Sequence, residues 1–273
     1  MIEPAVAAAP PRSTLAVCRT LSFPMRCLLV ARRNYIVWRK LLLVALLGHL
    51  AEPLIWLACI GLGLGSLLPP IEDMSYLQFL TAGMLANSVM NTASAEAIYG
   101  ASSRWKFRRV WEAILNAPMG PADIVTGEWL WAGTKGAVTG LVILLVMLPF
   151  GLIQSPLALF IVPVVLLAGL SFAGIAMVFT GLSPREDLYT YYFSLALLPL
   201  MSISGVFFPV GRLPEALQIV AHVLPLSHAV DLVRALSVGK VPASVLLHVT
   251  VLLVYATVSI VIAVAVISRR LTR

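Results

Sequence analysis

Charge is what this sequence has least of. It holds 19 Lys and Arg and 12 Asp and Glu in 273 residues, 11% charged, where a soluble domain carries about 25%. So few charges cannot cover the surface of a water-soluble protein of this size. A soluble enzyme and a disordered hub are excluded together. Cysteine is scarce too. Cys18, Cys27 and Cys59 stand far apart with no CxxC, so they build neither a disulfide framework nor a zinc site. The four histidines, at 49, 222, 228 and 248, are scattered, which speaks against a metal centre. There is no GxxxxGK followed by Ser or Thr, no HExxH and no GxSxG. GLGLGS at 61–66 lacks the lysine of a P-loop, and GTK at 133–135 has it in the wrong place. No ATP site, metalloprotease helix or nucleophile elbow is therefore expected in this chain.

Apolar residues fill the space that charge leaves. They make up 60% of the chain, with a mean hydropathy of +0.97. A helix needs about 20 apolar residues to cross the hydrocarbon core. Six segments reach or approach that length: 41–65, 76–99, 124–152, 157–182, 188–208 and 244–267. They are too long and too unalternating for barrel strands. The second, YLQFLTAGMLANSVMNTASAEAIYG, mixes small and polar residues and should face protein or a cavity. The fifth holds Pro199 and Gly205 and should be kinked.

The basic residues alternate with these runs. Arg12, Arg19, Arg26, Arg32, Arg33, Arg39 and Lys40 precede the first. Loop one has none and carries Glu72 and Asp73. Loop two has Arg104, Lys106, Arg108 and Arg109, loop four Arg185, and the tail Arg269, Arg270 and Arg273. Only Arg212, Arg234 and Lys240 lie in the loops of the opposite set. The positive-inside rule then predicts six spans with both termini in the cytoplasm.

Three further helices are predicted outside the spans. Residues 1–24 are Pro/Ala-rich at their start and read as disordered. Within 25–40, Arg26, Arg33 and Lys40 continue a seven-residue repeat from Arg19. That repeat drifts only about 20° per heptad and makes one basic stripe. Leu28, Leu29, Tyr35, Ile36 and Trp38 can lie in the acyl boundary, as in an interfacial helix. In loop two, 100–123, Trp105, Val110, Trp111, Ile114 and Leu115 recur at helical spacing, with the four basic residues as the polar face. Pro118, Gly120 and Pro121 stop that helix. Loop five, 209–243, reads as a helical hairpin on the outer face. Pro214 and Glu215 start its first half, Pro225 breaks it, and Ser227 caps the second. Each half is too short to span, so the hairpin is re-entrant or interfacial.

Besides His49 and His248, the ionisable residues Glu52, Glu96, Glu128 and Lys135 fall inside spans. Each costs about 2.5–3.5 kcal/mol at the bilayer centre. They read either as a polar substrate path or proton relay, or as satisfied interhelical pairs. Gly136xxxGly140 and Gly61xxxGly65 permit close helix contact, within or between copies.

These features together resemble the permease subunit of ABC type-2 exporters. The second span, with its Phe-Leu-x-x-Gly start and Ala-Ser-x-Glu-Ala end, is similar to that family's. So is WEAILNAPMGPADIVTGEWLWAGTK, through Trp111, Ile114, Pro118, Asp123, Gly127, Glu128, Trp131 and Lys135. Ser204-Gly205-Val206-Phe207-Phe208-Pro209, Leu213-Pro214, Leu224-Pro225-Leu226, His228-Ala229 and Val233-Arg234-Ala235 resemble its fifth span and outer hairpin. The likeness covers about residues 25–270 and is greatest to the nodulation protein J branch, permeases for lipo-chitooligosaccharide export. Ala-Glu-Ala at 95–97 departs from the more familiar Phe-Glu-Ala.

The resemblance implies an all-α integral membrane fold. Its parts are six transmembrane helices, an N-terminal interfacial helix, a cytoplasmic coupling helix and an external re-entrant hairpin. It implies no catalytic, cofactor or metal site in this chain. ATP and magnesium would sit on a cognate ABC ATPase present in two copies, paired with two copies of this permease in a bacterial inner membrane. Membrane lipid is the other expected partner, and nucleic acid is not one. Arg104, Lys106, Arg108, Arg109, Trp111, Glu112 and Pro118 would serve ATPase coupling. Glu52, Glu96, Glu128 and Lys135 would line the path or pair within the membrane. Pro214, Pro225, His228, Asp231 and Arg234 would shape the outer hairpin. The expected cargo is an amphipathic glycolipid or lipo-oligosaccharide. A drug exporter of the same family and a proton-coupled secondary transporter are the alternatives.

Overall fold

The computed structural model describes residues 22–271 apart from 66, 72, 73, 154 and 243, and the side chains of Leu46, His49 and Leu64 are outside that description too. The Pro/Ala-rich start up to residue 21, with Arg12, Cys18 and Arg19, lies outside the described residues, as do Glu72, Asp73 and Arg273. What is described is helical, with a lone β-bridge between Ile71 and Met74.

Helix α1, Phe23–Trp38, runs through a 3-10 turn, Arg39–Leu41, into α2, Leu42–Trp56, and a π-helical end, Leu57–Leu64. Helix α3, Tyr76–Ala95, begins at a capping box in which Ser75 Oγ accepts from the Gln78 amide and the Gln78 side chain accepts from the Ser75 amide. It continues through π turns at Glu96–Gly100 and Ser103–Phe107. The short α4, Val110–Leu115, follows. Then come α5, Pro121–Met147, and α6, Ile161–Leu182. The fifth apolar region is α7, Leu188–Tyr191, a π segment and α8, Leu198–Ile203. The hairpin is α9, Glu215–Ala221, and α10, Pro225–Ser237. Helix α11, Val245–Leu271, closes the chain.

Every expected apolar region is helical, but the helices differ in how they meet lipid. Four helical stretches are long and apolar enough to cross a membrane: Phe23–Gly63, Pro121–Phe150, Pro156–Leu182 and Val245–Leu271. Helix α3 carries too many polar residues for that. All of it is buried except Leu77, Gln78, Asn91 and Ala95. A helix whose polar groups would be costly in hydrocarbon is thus wrapped by its neighbours. Helix α6 sits against α3, α5, α10 and α11. Hydroxyl and indole groups join these helices. Ser171 Oγ donates to Leu252 O at 2.7 Å, Thr180 Oγ1 to Ala97 O at 3.1 Å, and Trp129 Nε1 to Leu170 O at 2.7 Å. Such bonds hold helices together where lipid tails supply no hydrophobic drive.

Local expectations fare differently from one segment to the next. The apolar side of α1 is exposed as expected, at Leu28, Leu29, Tyr35 and Ile36. Of its basic residues, Arg32, Arg39 and Lys40 are exposed, while Arg26 and Arg33 are engaged within the protein. Arg26 Nε lies 3.4 Å from Asp123 Oδ1, because α1 packs along α5, and Arg33 donates to Asn34 Oδ1 within α1. The helix expected over 104–117 is broken at Arg109, whose φ of 47° is left-handed. The Gly136–Gly140 motif serves contacts within the chain. A Cβ at 136 would meet Ala93 Cβ and Val89 O at 2.9 Å, so glycine there lets α5 and α3 touch backbone to backbone. Ser227 does not cap α10. It lies inside the first turn, buried, with Oγ lacking a partner. The two halves of the hairpin meet at 81°, and α10 is mostly core rather than surface.

Candidate functional site

Where α3 ends, α5 begins and α4 crosses, four charged side chains meet out of water. Glu96 opens the first π turn, Arg104 lies in the second, and Glu128 and Lys135 sit two turns apart on α5. Arg104 joins both acids. Its Nη2 is 2.7 Å from Glu96 Oε1 and 2.6 Å from Glu128 Oε2, and Nε donates to both oxygens of Glu128 at 2.9 and 3.0 Å. Lys135 Nζ donates to Glu96 Oε2 at 2.7 Å. Two acids and two bases thus cancel.

The carboxylates are satisfied by neutral donors as well. Glu128, whose side chain is 0% exposed, accepts from Trp111 Nε1 at 3.1 Å and Asn34 Nδ2 at 2.9 Å. Glu96 accepts from Trp131 Nε1 at 2.9 Å. A buried carboxylate persists only when paired and hydrogen-bonded in this way. Gly100 makes the room. A Cβ there would meet Glu96 Cδ at 2.7 Å. Aromatic rings shield the cluster. Trp38 meets Trp131 at 5.6 Å, and Trp105 stacks on Trp111 at 5.3 Å.

The cluster reaches four helices through named bonds: α1 by Asn34, the extension of α3 by Glu96 and Arg104, α4 by Trp111, and α5 by Glu128, Trp131 and Lys135. Each of the four carboxylate oxygens accepts from a cation. Next to it, Lys106 Nζ donates to Tyr189 Oη at 2.9 Å and Ser183 O at 3.4 Å. Arg270 Nη1 donates to Gly181 O and Ser183 O. Two cations thereby satisfy the open carbonyls at the end of α6.

The remaining expected site residues separate into groups. Arg104 and Trp111, expected on a coupling surface, are inside. Arg108, Arg109 and Glu112 are exposed at the break and on α4, and Pro118 is half-buried in the link to α5. Glu52 is exposed on α2 and lines a cleft of about 370 Å³ with Gly48, Ser88, Asn91, Thr92, Ala95 and Phe193. It does not join the cluster. Pro214 and Pro225 stand at the starts of α9 and α10. Asp231 Oδ1 lies 3.7 Å from Arg234 Nη1. Arg234 also donates to Gly205 O and covers the ring of Phe79 at 3.7 Å. His228 pairs with His248 of α11. Sequence reasoning did not single out Asn34, and it named Trp131 and His248 without placing them at a site. An amide amid apolar and basic residues and a Trp three residues after Glu128 were the available signals.

Residues 26–238 match the family model described as ABC-2 type transporter. Nodulation protein J of Rhizobium leguminosarum bv. viciae is 41% identical over 246 residues, covering 90% of this chain and 95% of the relative. Nodulation protein J of Rhizobium leguminosarum bv. trifolii is 43% identical over 244 residues, 89% and 93% of the two. The inner membrane transport permease YadH of Escherichia coli (strain K12) is 24% identical over 172 residues, 62% and 65%.

Proposed function

The chain belongs to the ABC-2 type transporter family, and from that premise we propose that it is the permease of an ATP-driven exporter of an amphipathic glycolipid or lipo-oligosaccharide. The family normally works with an ABC ATPase partner. In this reading two copies of the permease pair in a bacterial inner membrane, with both termini and α4 on the cytoplasmic side. Each copy docks one ATPase subunit. ATP and magnesium belong to that partner and supply the free energy.

The observation that carries the reading is the buried cluster beside an exposed, broken helix. Arg108, Arg109 and Glu112 face outward, ready for a partner's groove. Trp111, one residue from Glu112, is bonded to Glu128. A push on α4 is therefore passed to Glu128, through Arg104 to Glu96, and through Asn34 to α1. The energy-giving surface and the moving spans share one rigid joint. The exposed apolar face of α1 suits a lipid-linked cargo entering sideways from the inner leaflet. The cleft beside Glu52, Ser88 and Asn91 offers hydroxyl-rich groups a polar contact. A proton relay through Glu96 and Glu128 is disfavoured, because both carboxylates are held by cations.

Co-purification from native membrane in mild detergent, with an ATPase assay on the complex, tests this. A stoichiometric ATPase is expected. In an Arg108→Ala, Arg109→Ala, Glu112→Ala triple variant, insertion should persist while ATPase association and transport are lost. Unchanged transport, or wild-type ATPase binding and stimulation, would overturn the coupling assignment.

A further inference from the structure

Outside the charged cluster, a titratable pair of one buried and one half-buried ring ties the hairpin to α11. His228 is 4% exposed on α10, and its Nδ1 lies 2.7 Å from Nδ1 of His248 on α11. His228 Nε2 lies 3.0 Å from His222 O at the end of α9. His248 Nε2 lies 3.2 Å from Ser244 Oγ. Three helices meet at this pair.

The partners fix where the protons sit. A carbonyl only accepts, so His228 Nε2 carries hydrogen. In a neutral ring Nδ1 of His228 is then a bare acceptor. His248 Nδ1 must therefore donate to it. That leaves His248 Nε2 bare, and the Ser244 hydroxyl donates there. One arrangement satisfies all three bonds.

A first added proton goes to His248 Nε2, and the Ser244 hydroxyl turns to accept. The central N–H···N bond survives and now carries one positive charge. A second proton has only His228 Nδ1 to occupy. Two N–H groups then face each other, with two like charges in contact. The bond between α10 and α11 is lost. We propose that His228 and His248 form a proton-operated latch that holds the hairpin to the last helix while the neutral pair has taken up no added proton or one, and releases it when a second is added.

The surroundings leave this pair as the switching element. Helices α3 and α6, packed against α10, contain no acid, lysine, arginine or histidine within Tyr76–Ala95 and Ile161–Leu182. Helix α11 brings only His248 near this end, with Arg269 and Arg270 at its other end. On the hairpin and the chain after it, His222, Asp231, Arg234 and Lys240 are the ionisable neighbours. Asp231, close to Arg234, favours the first proton more than the second, because one carboxylate offsets one charge. Tyr255 Oη of α11 donates to Val223 O and supplies a second, proton-independent tie.

The test uses the full chain in lipid nanodiscs, where both faces meet the same buffer. Backbone hydrogen exchange over residues 225–237 is followed from about pH 7.5 to about pH 4.5, corrected for the intrinsic rate. Opening should be flat and then rise about tenfold per pH unit, the slope of one proton taken up on release. In His248→Gln the amide can flip to donate or accept, and the slope should vanish. A slope that persists in His248→Gln would overturn the latch and assign the effect to His222 or Asp231. Imidazole 15N spectra of the wild type give a check that no variant can spoil by misfolding. One ring protonated at Nε2 and one at Nδ1 are expected. Two independent rings, each titrating near the ordinary value of about 6.5, would sink the proposal.

Discussion

Arg104→Met removes the guanidinium and keeps an apolar side chain of similar length. Glu128 then loses the cation bonded to it and retains Trp111 and Asn34 as donors. Glu96 keeps Lys135 and Trp131. The damage is therefore concentrated on Glu128, whose side chain is fully buried. Removing one partner from a buried ion pair costs about 3–5 kcal/mol, largely because an uncompensated charge stays behind. That is a large share of the roughly 5–15 kcal/mol that holds a folded protein together. Glu128→Gln in the same chain removes the stranded charge and should recover most of the loss. The assay is a double-mutant cycle on the detergent-solubilised chain, with reversible unfolding read by tryptophan fluorescence. A coupling of about 2–3 kcal/mol between Arg104 and Glu128 is expected, the upper part of the range for residues in one network. Additivity within about 0.5 kcal/mol, the behaviour of independent sites, would refute the view of this cluster as a single buried joint.

Gly100→Ala should press a Cβ onto the Glu96 carboxylate and destabilise by about 1–3 kcal/mol; in a Glu96→Ala background the same change should be nearly silent, as read by the unfolding midpoint. Gly136→Leu should separate α5 from α3 and lower monomer stability. A variant of normal monomer stability that has lost only its dimer in cross-linking would instead place Gly136 between copies.

The four stretches long and apolar enough to cross a membrane were legible because hydrocarbon demands such runs, and they need no partner to be recognised. The burial of α3 was legible for the opposite reason. Ser88, Asn91 and Thr92 in a helical run must face protein or a cavity. Corrections cluster where a helix leaves the α period. On an ideal α-helix residues 96 and 104 stand about 80° apart, since eight steps at 3.6 residues per turn overshoot two full turns. The π turns at Glu96–Gly100 and Ser103–Phe107 take more residues per turn. A mixed run averaging about four residues per turn brings Arg104 back under Glu96. Period alone put Arg104 on a solvated face with Arg108 and Arg109. The wider turns put it inside and leave the other two out.

The same departure explains why the acids looked separate. Glu128 and Lys135 share a face of α5 but stand too far apart to pair directly. Their connection runs through the neighbouring helix, by Glu96 and Arg104, and no spacing within α5 can report it. The left-handed Arg109 completes the arrangement. It ends the extension of α3 so that α4 can turn Trp111 inward while Glu112 stays out. On a straight helix over 104–117, Trp105 and Trp111 would stand about 120° apart, with Trp105 among the cations. With the break, Trp111 of α4 is bonded to Glu128 of α5 and stacked on Trp105. That is why the coupling residues expected as one set separate into an outward group, Arg108, Arg109 and Glu112, and an inward pair, Arg104 and Trp111.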